Sequence, residues 1–417
     1  MSEAVHVVGV SCTRFGRHPD RGAGTMARQA LSDVLADAGT HLRDVGAVFY
    51  ANVSQKAVEG QHMIPGQVAL RPAGVTGIPV VNVENACAGG ATAFWLAVAH
   101  VRSGQSPAAV AVGVDKLVLP DAAAALAVFD GALDRAHRCT ALRTLNRVAG
   151  VAHEPGEHEG AQDRRSVFMD IYAALALAHM NRFGTTARQL ATVAAKNHLH
   201  SVDNERAQYR RPFTVDDVLA ARTVAHPLTV PMCSPVSDGA AAVLVGNTDF
   251  AASLPTPDRH VTVRASVLVS GSDREPDDVE AHLGRRAAIA AYEQAGLGPR
   301  DVDVAEVHDA TAFGEIQQTE NLGFCPIGDG GPWAESGASA LGGRLPVNPS
   351  GGLVSRGHPV SATGLAQLFE LVTQLRGEAG ARQVDGARIA VAENGGGLYG
   401  VEEAVAAISV LEKGFRR

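Results

Sequence analysis

The sequence predicts an α/β protein that builds one unit twice, with a helical insertion in the first half, and three observations carry that expectation. Short β-rich apolar runs alternate with alanine-rich helical stretches, as in a sheet of buried strands flanked by helices. The alternation pauses between about Leu117 and Val236, where long helical patterns replace strands. It restarts after the turn-rich loop NTDFAASLPTPDRH, with five strand candidates on each side of that loop. At 417 residues the chain exceeds the usual size of one core. The expected halves span 1–250, with the insertion at about 117–236, and 258–417.

In chain order, the first-half strands are VHVVGV (5–10), AVFYANV (47–53), VVNVENA (80–86), AVAVGV (109–114) and AAVLVG (241–246). Helical patterns cover Thr25 to Gly39, Ala91 to Ser103 and, within the insertion, Ser166 to Phe183 and Thr186 to Ser201. The second half reads VTVRASVLVSG (261–271), VDVAEVHDA, RLPVNPSGG, ARIAVAENGGG and YGVEEAVAAISVLEK. The halves also correspond in kind. VNVENACAGGATAFWLAVA and VNPSGGLVSRGHPVSATGLAQLFELV each pass from a strand through glycine-rich sequence into a small-residue helix.

The totals narrow the function. A net charge of −8, from 36 basic and 44 acidic residues, offers no electrostatic case for nucleic acid or an anionic membrane. Cys12, Cys87, Cys139, Cys233 and Cys325 are scattered and show no CxxC spacing, which fits a reducing cytoplasm and neither a disulfide framework nor a zinc knuckle. No apolar run approaches the roughly 20 residues of a membrane span, and no targeting segment is visible.

Four short stretches could carry chemistry. Cys87 stands where a strand gives way to a helix. Helix N-terminal amides favour a thiolate there, although Cys87 taken alone reads more readily as a packed core cysteine. RGHPVSATG places His358 before another small-residue helix, where it could take a thiol proton from the matching loop or merely face solvent. EVHDATAF puts His308 and Asp309 at a strand end, with Asp309 expected to cap the next helix. AENGGGLYG sets Glu393 and Asn394 before three glycines whose amides can approach a ligand.

Together and in this order, NACAGGA, HDATAF, GHP and ENGGG resemble the motifs of the thiolase superfamily, particularly its sterol-carrier-protein-type branch, over nearly the whole chain. SPVSDGAAAVLVGN also resembles the strand that closes the family's first half. The resemblance implies a five-layered αβαβα fold, an inserted loop domain, and a homodimer or homotetramer. It implies Cys87 as the nucleophile that accepts an acyl group from a thioester. His358 would activate that thiol and, with His308, bind the thioester or enolate oxygen. The amides of Cys87 and Gly395 would form a second oxyanion hole, with Asn394 beside it among the substrate-binding residues. Coenzyme A and acyl-CoA, or an acyl-carrier thioester, would be substrates with no permanently bound cofactor. A small zinc-ribbon/OB-fold protein is a possible partner.

The sequence departs from the family where a second cysteine handles the α-carbon proton. Ala310 takes one such position and Glu393 the other. Glu393 could serve as the base. Alternatively, Cys87, His308 and His358 could run a decarboxylative condensation, or the protein could transfer or merely bind an acyl group. His137, Cys139, His153 and His158 match no compact zinc spacing, and no metal is assigned. Arg206, Arg210 and Arg211, or Arg164 and Arg165, are the clusters that could meet CoA phosphates.

Overall fold

The computed structural model describes residues 3–150 and 165–414, so His153, His158 and Arg164 lie outside the described residues. The strands are β1 (Val5–Cys12), β2 (Ala47–Ala51), β3 (Val80–Val83), β4 (Ala108–Asp115), β5 (Thr223–Ala225), β6 (Leu228–Thr229), β7 (Gly239–Asn247), β8 (Val261–Ser270), β9 (Val304–Glu306), β10 (Ile389–Gly396) and β11 (Val405–Lys413). Nine of them run in the order β3-β2-β4-β7-β1-β8-β11-β10-β9, while β5 and β6 form a separate hairpin. The first five and last four strands are two units, joined where β1 meets β8 through only the pairs His6↔Thr262 and Val7↔Val261.

The units share one topology. In the first, β2 runs parallel to β3 and β4, and β7 lies antiparallel to both β4 and β1. In the second, β9 runs parallel to β10, and β11 lies antiparallel to β10 and β8. The counterpart of β3 shrinks to a single parallel bridge, Ala305↔Val347. The sequence predicts a strand there, but Pro346 and Pro349 flank Val347 and Asn348, and prolines supply no ladder donors.

β1, β4 and nearly all of β7 are buried along their length, which explains why they read as unbroken valine and alanine runs. One helix from each half lies between the units. Gly89–Arg102 and Thr363–Arg376 pack on each other and touch strands of both halves. Their shared core includes Phe94, Ala97 and Val98 against Leu365, Leu368 and Leu371. Burying each such leucine contributes about 1.5–3 kcal/mol. Ala23–Ala38 covers the outer face of the first unit and Leu283–Ala295 that of the second, completing the αβαβα layering.

Between β4 and β7, Ser166 caps the helix Val167–Phe183, and a Thr186/Gln189 capping box starts Ala187–His200. These helices pack against Phe313 and Ile316 of the second half, which brings the insertion over the chemical loops.

Candidate active site

β3 ends at Val83, and the chain turns through Ala86 before the helix that begins at Gly89. Ala86 has φ +47°, a left-handed conformation that costs a non-glycine residue of order 1–3 kcal/mol. The Glu84 carboxylate accepts the Ala86 amide at 2.7 Å and helps hold this turn. Cys87 follows, half-buried. Gly396, at the end of β10, presses on the turn so closely that a Cβ there would lie 2.6 Å from the Ala88 nitrogen. The amides of Gly397 and of Cys87 itself approach the Cys87 sulfur and favour its ionised form.

His358 arrives from the second half. Its amide donates to Ser237 Oγ at 2.9 Å, and a bridge to Val236 seats the loop against the first half. His358 Nδ1 lies 2.6 Å from Thr363 Oγ1, while that hydroxyl donates to the Pro359 carbonyl at 3.0 Å. The hydroxyl has one proton, so it accepts from Nδ1–H and leaves Nε2 without a proton. At His308 the logic reverses. Asn394 Nδ2 lies 2.9 Å from His308 Nδ1 and can only donate, so Nε2 carries the proton. The rings stand edge to face with centroids 5.2 Å apart, and one donor atom from each of Cys87, His308 and His358 lies within 4.8 Å of the others.

Such donors at such spacing also suit a transition ion. The His308 tautomer argues against that use, because a ligating nitrogen needs a lone pair and its partner nitrogen usually donates to an acceptor.

Burial pushes the Cys87 thiol up to about 12, with further upward pressure from the Asp115 and Glu84 charges. Burial brings His308 down to about 4, and burial with the charges of His308 and Arg356 holds His358 well below the usual imidazole range. The resting pair is therefore a neutral thiol and a neutral imidazole.

The two halves meet through Asp115 and Ser361. Asp115 Oδ1 accepts the Ser54 amide at 2.9 Å, and Oδ2 accepts the Ser361 amide at 2.6 Å. A Cβ at Gly90 or Gly113 would overlap the Ser361 carbonyl, so glycine at these two first-half positions lets the His358 loop approach.

The remaining expected residues are less uniform. Gly395 lines the cavity described below, but the amide that reaches the Cys87 sulfur belongs to Gly397. Asn394 stands behind His308, and Glu393 accepts the His308 amide at 2.8 Å; neither is among the cavity-lining residues. Burial, reinforced by the charges of Glu403 and Asp309, pushes Glu393 up to about 8 even though the His308 amide favours its ionised form. Asp309 does not cap the helix that follows it. Its carboxylate accepts Leu353 N at 2.6 Å and so caps the turn Gly352–Arg356, while Thr311 starts the helix Ala312–Asn321.

A cavity of about 390 Å³ opens above the three residues. Apolar groups including Leu126, Phe129, Phe168 and Met169 dominate its walls, and Ala310 and Cys233 also line it. Arg165 and Lys56 reach this cavity. Arg206 instead donates to the Cys12 carbonyl and covers Phe369, Arg210 binds the Val202 carbonyl, and Arg211 lies over Phe213. Thr363, Gly397 and Glu403 are the site residues that sequence reasoning missed. Thr363 alone carried a local signal, as a hydroxyl five residues after a histidine at a helix start.

Comparison with known proteins agrees with this geometry. The family description "Thiolase, N-terminal domain" matches residues 5–249, and "Thiolase C-terminal domain-like" matches residues 270–411. An acetyl-CoA acetyltransferase of Methanothermobacter thermautotrophicus is 38% identical over 400 residues, covering 95% of this chain and 97% of that protein. Sterol carrier protein 2 of Oryctolagus cuniculus is 34% identical over 402 residues, covering 94% and 69%. Benzoylsuccinyl-CoA thiolase subunit BbsB of Thauera aromatica is 30% identical over 388 residues, covering 92% of each. Among solved structures, an Ltp2-ChsH2(DUF35) aldolase shares the fold, with a TM-score of 0.78 at 21% identity over 99% of this chain and 98% of that one.

Proposed function

Because the chain belongs to the thiolase family, we propose that it is an acyl-CoA acyltransferase that forms or cleaves a C–C bond through an acyl-Cys87 intermediate. The observation that carries this reading is the convergence of Cys87, His308 and His358 within 4.8 Å, with opposite tautomers on the two imidazoles.

In the first half-reaction the Cys87 sulfur attacks the thioester carbonyl carbon as His358 Nε2 takes the thiol proton. The carbonyl π pair moves to oxygen, where the Cys87 and Gly397 amides stabilise it; losing one such donor typically costs ~2.7–4 kcal/mol. The tetrahedral species collapses, the carbon–sulfur bond to coenzyme A breaks, and the imidazolium returns its proton to the leaving thiolate. The products are acyl-Cys87 and free coenzyme A. In the second half-reaction the enolate of another thioester attacks the acyl carbon, with its oxygen held by His308 Nε2–H, and the Cys87 sulfur leaves. Thiolytic cleavage is the same path reversed.

The rest of the proposal follows from the surroundings. Acyl-CoA and coenzyme A serve as substrates without a permanently bound cofactor, and Arg165 and Lys56 are the cavity cations suited to the nucleotide phosphates. A homodimer or homotetramer draws support from the edge strand β3, where Val81 is exposed. Among the described residues no helix is long and apolar enough to cross a membrane. A cytoplasmic setting and a small zinc-ribbon/OB-fold partner belong to the same proposal.

Intact-mass measurement after incubation with a panel of acyl-CoA esters tests it. An acyl adduct that disappears in Cys87→Ala is the expected result. No adduct with any ester would overturn the covalent scheme in favour of a binding protein, and CO₂ release from malonyl-CoA would indicate decarboxylative condensation.

A further inference from the structure

Two carboxylates line the cavity among the described residues, and they differ in setting. Glu84 is exposed and is occupied by the Ala86 amide. The Glu403 side chain is only 13% exposed. Gln318 Nε2 donates to its Oε1 at 3.1 Å, and His282 Nε2 faces its Oε2 at 3.4 Å.

The His282 ring is neutral, because burial lowers its affinity for a second proton, and its Nδ1 accepts the Gly284 amide at 3.1 Å. The His282 proton therefore sits on Nε2, toward Glu403. Both anchors are uncharged donors. They orient the carboxylate by hydrogen bonding through Gln318 Nε2 and His282 Nε2.

Glu403 also lies beside the nucleophile's own scaffold. A Cβ on Gly395 would meet Glu403 Cγ at 2.9 Å, and Gly395 begins the glycine run whose last amide reaches Cys87. The Tyr172 phenol, in the same cavity wall, feels the charges of both Glu403 and Cys87.

The other cavity groups are poorly suited to accept a carbon-bound proton. His358 Nε2 serves the sulfur. Burial holds the Tyr172 hydroxyl in its protonated form and pushes the Cys233 thiol up to about 12, with no imidazole bonded to its sulfur among the described residues. Glu393 faces the His308 amide and not the cavity.

On the acyl-Cys87 reading, on which this rests, we infer that Glu403 is the general base that takes the α-proton of the second thioester. The α-carbon–hydrogen pair becomes the enolate double bond as the proton passes to a Glu403 oxygen. The carbonyl π pair moves to the thioester oxygen, which His308 Nε2–H receives. When the enolate carbon attacks acyl-Cys87, the carbon–sulfur bond breaks and the released sulfur takes a proton that His358 Nε2 relays from solvent. Glu403 then gives its proton to solvent.

Two measurements on the full-length protein separate this assignment from the acylation it rests on. One is intact-mass acylation of Cys87 by acetyl-CoA and propionyl-CoA; the other is wash-in of deuterium at the α-carbon of the same esters in D₂O. Glu403→Gln keeps the size of the side chain. It should retain acylation and a cooperative melting transition while exchange falls at least about a hundredfold, with partial recovery in Glu403→Asp.

Absence of acylation in the wild-type protein would sink the underlying reading. Acylation with no wild-type exchange, or with exchange undiminished in Glu403→Gln, overturns the assignment. Exchange that survives in Glu403→Gln but is lost in Cys233→Ser or Glu393→Gln also overturns it and moves the base to that residue.

Discussion

Thr363 decides which nitrogen of His358 can receive the Cys87 proton: its hydroxyl donates to the Pro359 carbonyl at 3.0 Å and accepts from Nδ1 at 2.6 Å. Thr363→Val removes that acceptor and leaves a buried Nδ1 proton unpaired, a cost of about 1–3 kcal/mol in stability. Cys87 acylation should slow by about ten- to a hundredfold because the wrong tautomer becomes competitive, and Thr363→Ser should restore it. Stopped-flow release of coenzyme A reads the rate, and an unchanged rate in the valine variant would refute the tautomer assignment.

The neutral resting pair fixes the pH response of the free enzyme. The Cys87 thiol is pushed up to about 12 and His358 is held low, so the thiolate fraction should rise about tenfold per pH unit across the neutral range. Iodoacetamide labelling of Cys87 should therefore accelerate steadily from pH 6 to pH 10. A plateau reached below pH 7 would instead reveal a preformed thiolate–imidazolium pair.

Glu393 links stability to pH in a definite direction. Its native carboxyl, pushed up to about 8 from an ordinary 4.5, keeps its proton between those values while the unfolded chain loses it. Its contribution is complete below 4.5 and is lost as pH rises through 8. Glu393→Gln keeps an acceptor for the His308 amide and cannot ionise. The melting temperature of the variant relative to wild type should increase from pH 5 to pH 9, and a flat difference would contradict the assigned protonation.

Gly113→Ala tests the close approach of the two halves. The added methyl would overlap the Ser361 carbonyl, and backbone has little room to yield. A stability loss of about 1–3 kcal/mol is expected, together with weaker acylation because the displaced loop carries His358. Urea unfolding and the acylation assay check both parts, and a variant of native stability would show that the loop has slack.

Much of the architecture was legible because buried strands and small-residue helices leave a periodic record. β1, β4, β7, β8 and β10 fall where the apolar runs stand, and the four motifs mark the loops that carry Cys87, His308, His358 and the glycine run. What escaped is relational. RLPV reads as a strand by composition, but its flanking prolines limit it to one bridge. Asp309 has the profile of a cap, yet nothing local says that the turn it caps begins at Gly352. Glu403 sits in a strand approach that looks like ordinary charged surface, and only the packing of Gly395 against it puts a carboxylate in the cavity wall. Gly397 differs from Gly395 by two positions in a run of identical residues, so backbone direction alone separates them.

The Ser361 carbonyl seated over Gly90 and Gly113 has a consequence for the protein's synthesis. A chain emerging from the ribosome presents Cys87 long before His358, and until Thr363 has followed, no oriented imidazole stands beside the sulfur. Cellular thioesters therefore meet an idle thiol during translation. Reactivity arrives only with the docking of the late-made loop onto the early-made glycines, so the contact that joins the two halves also assembles the reactive pair.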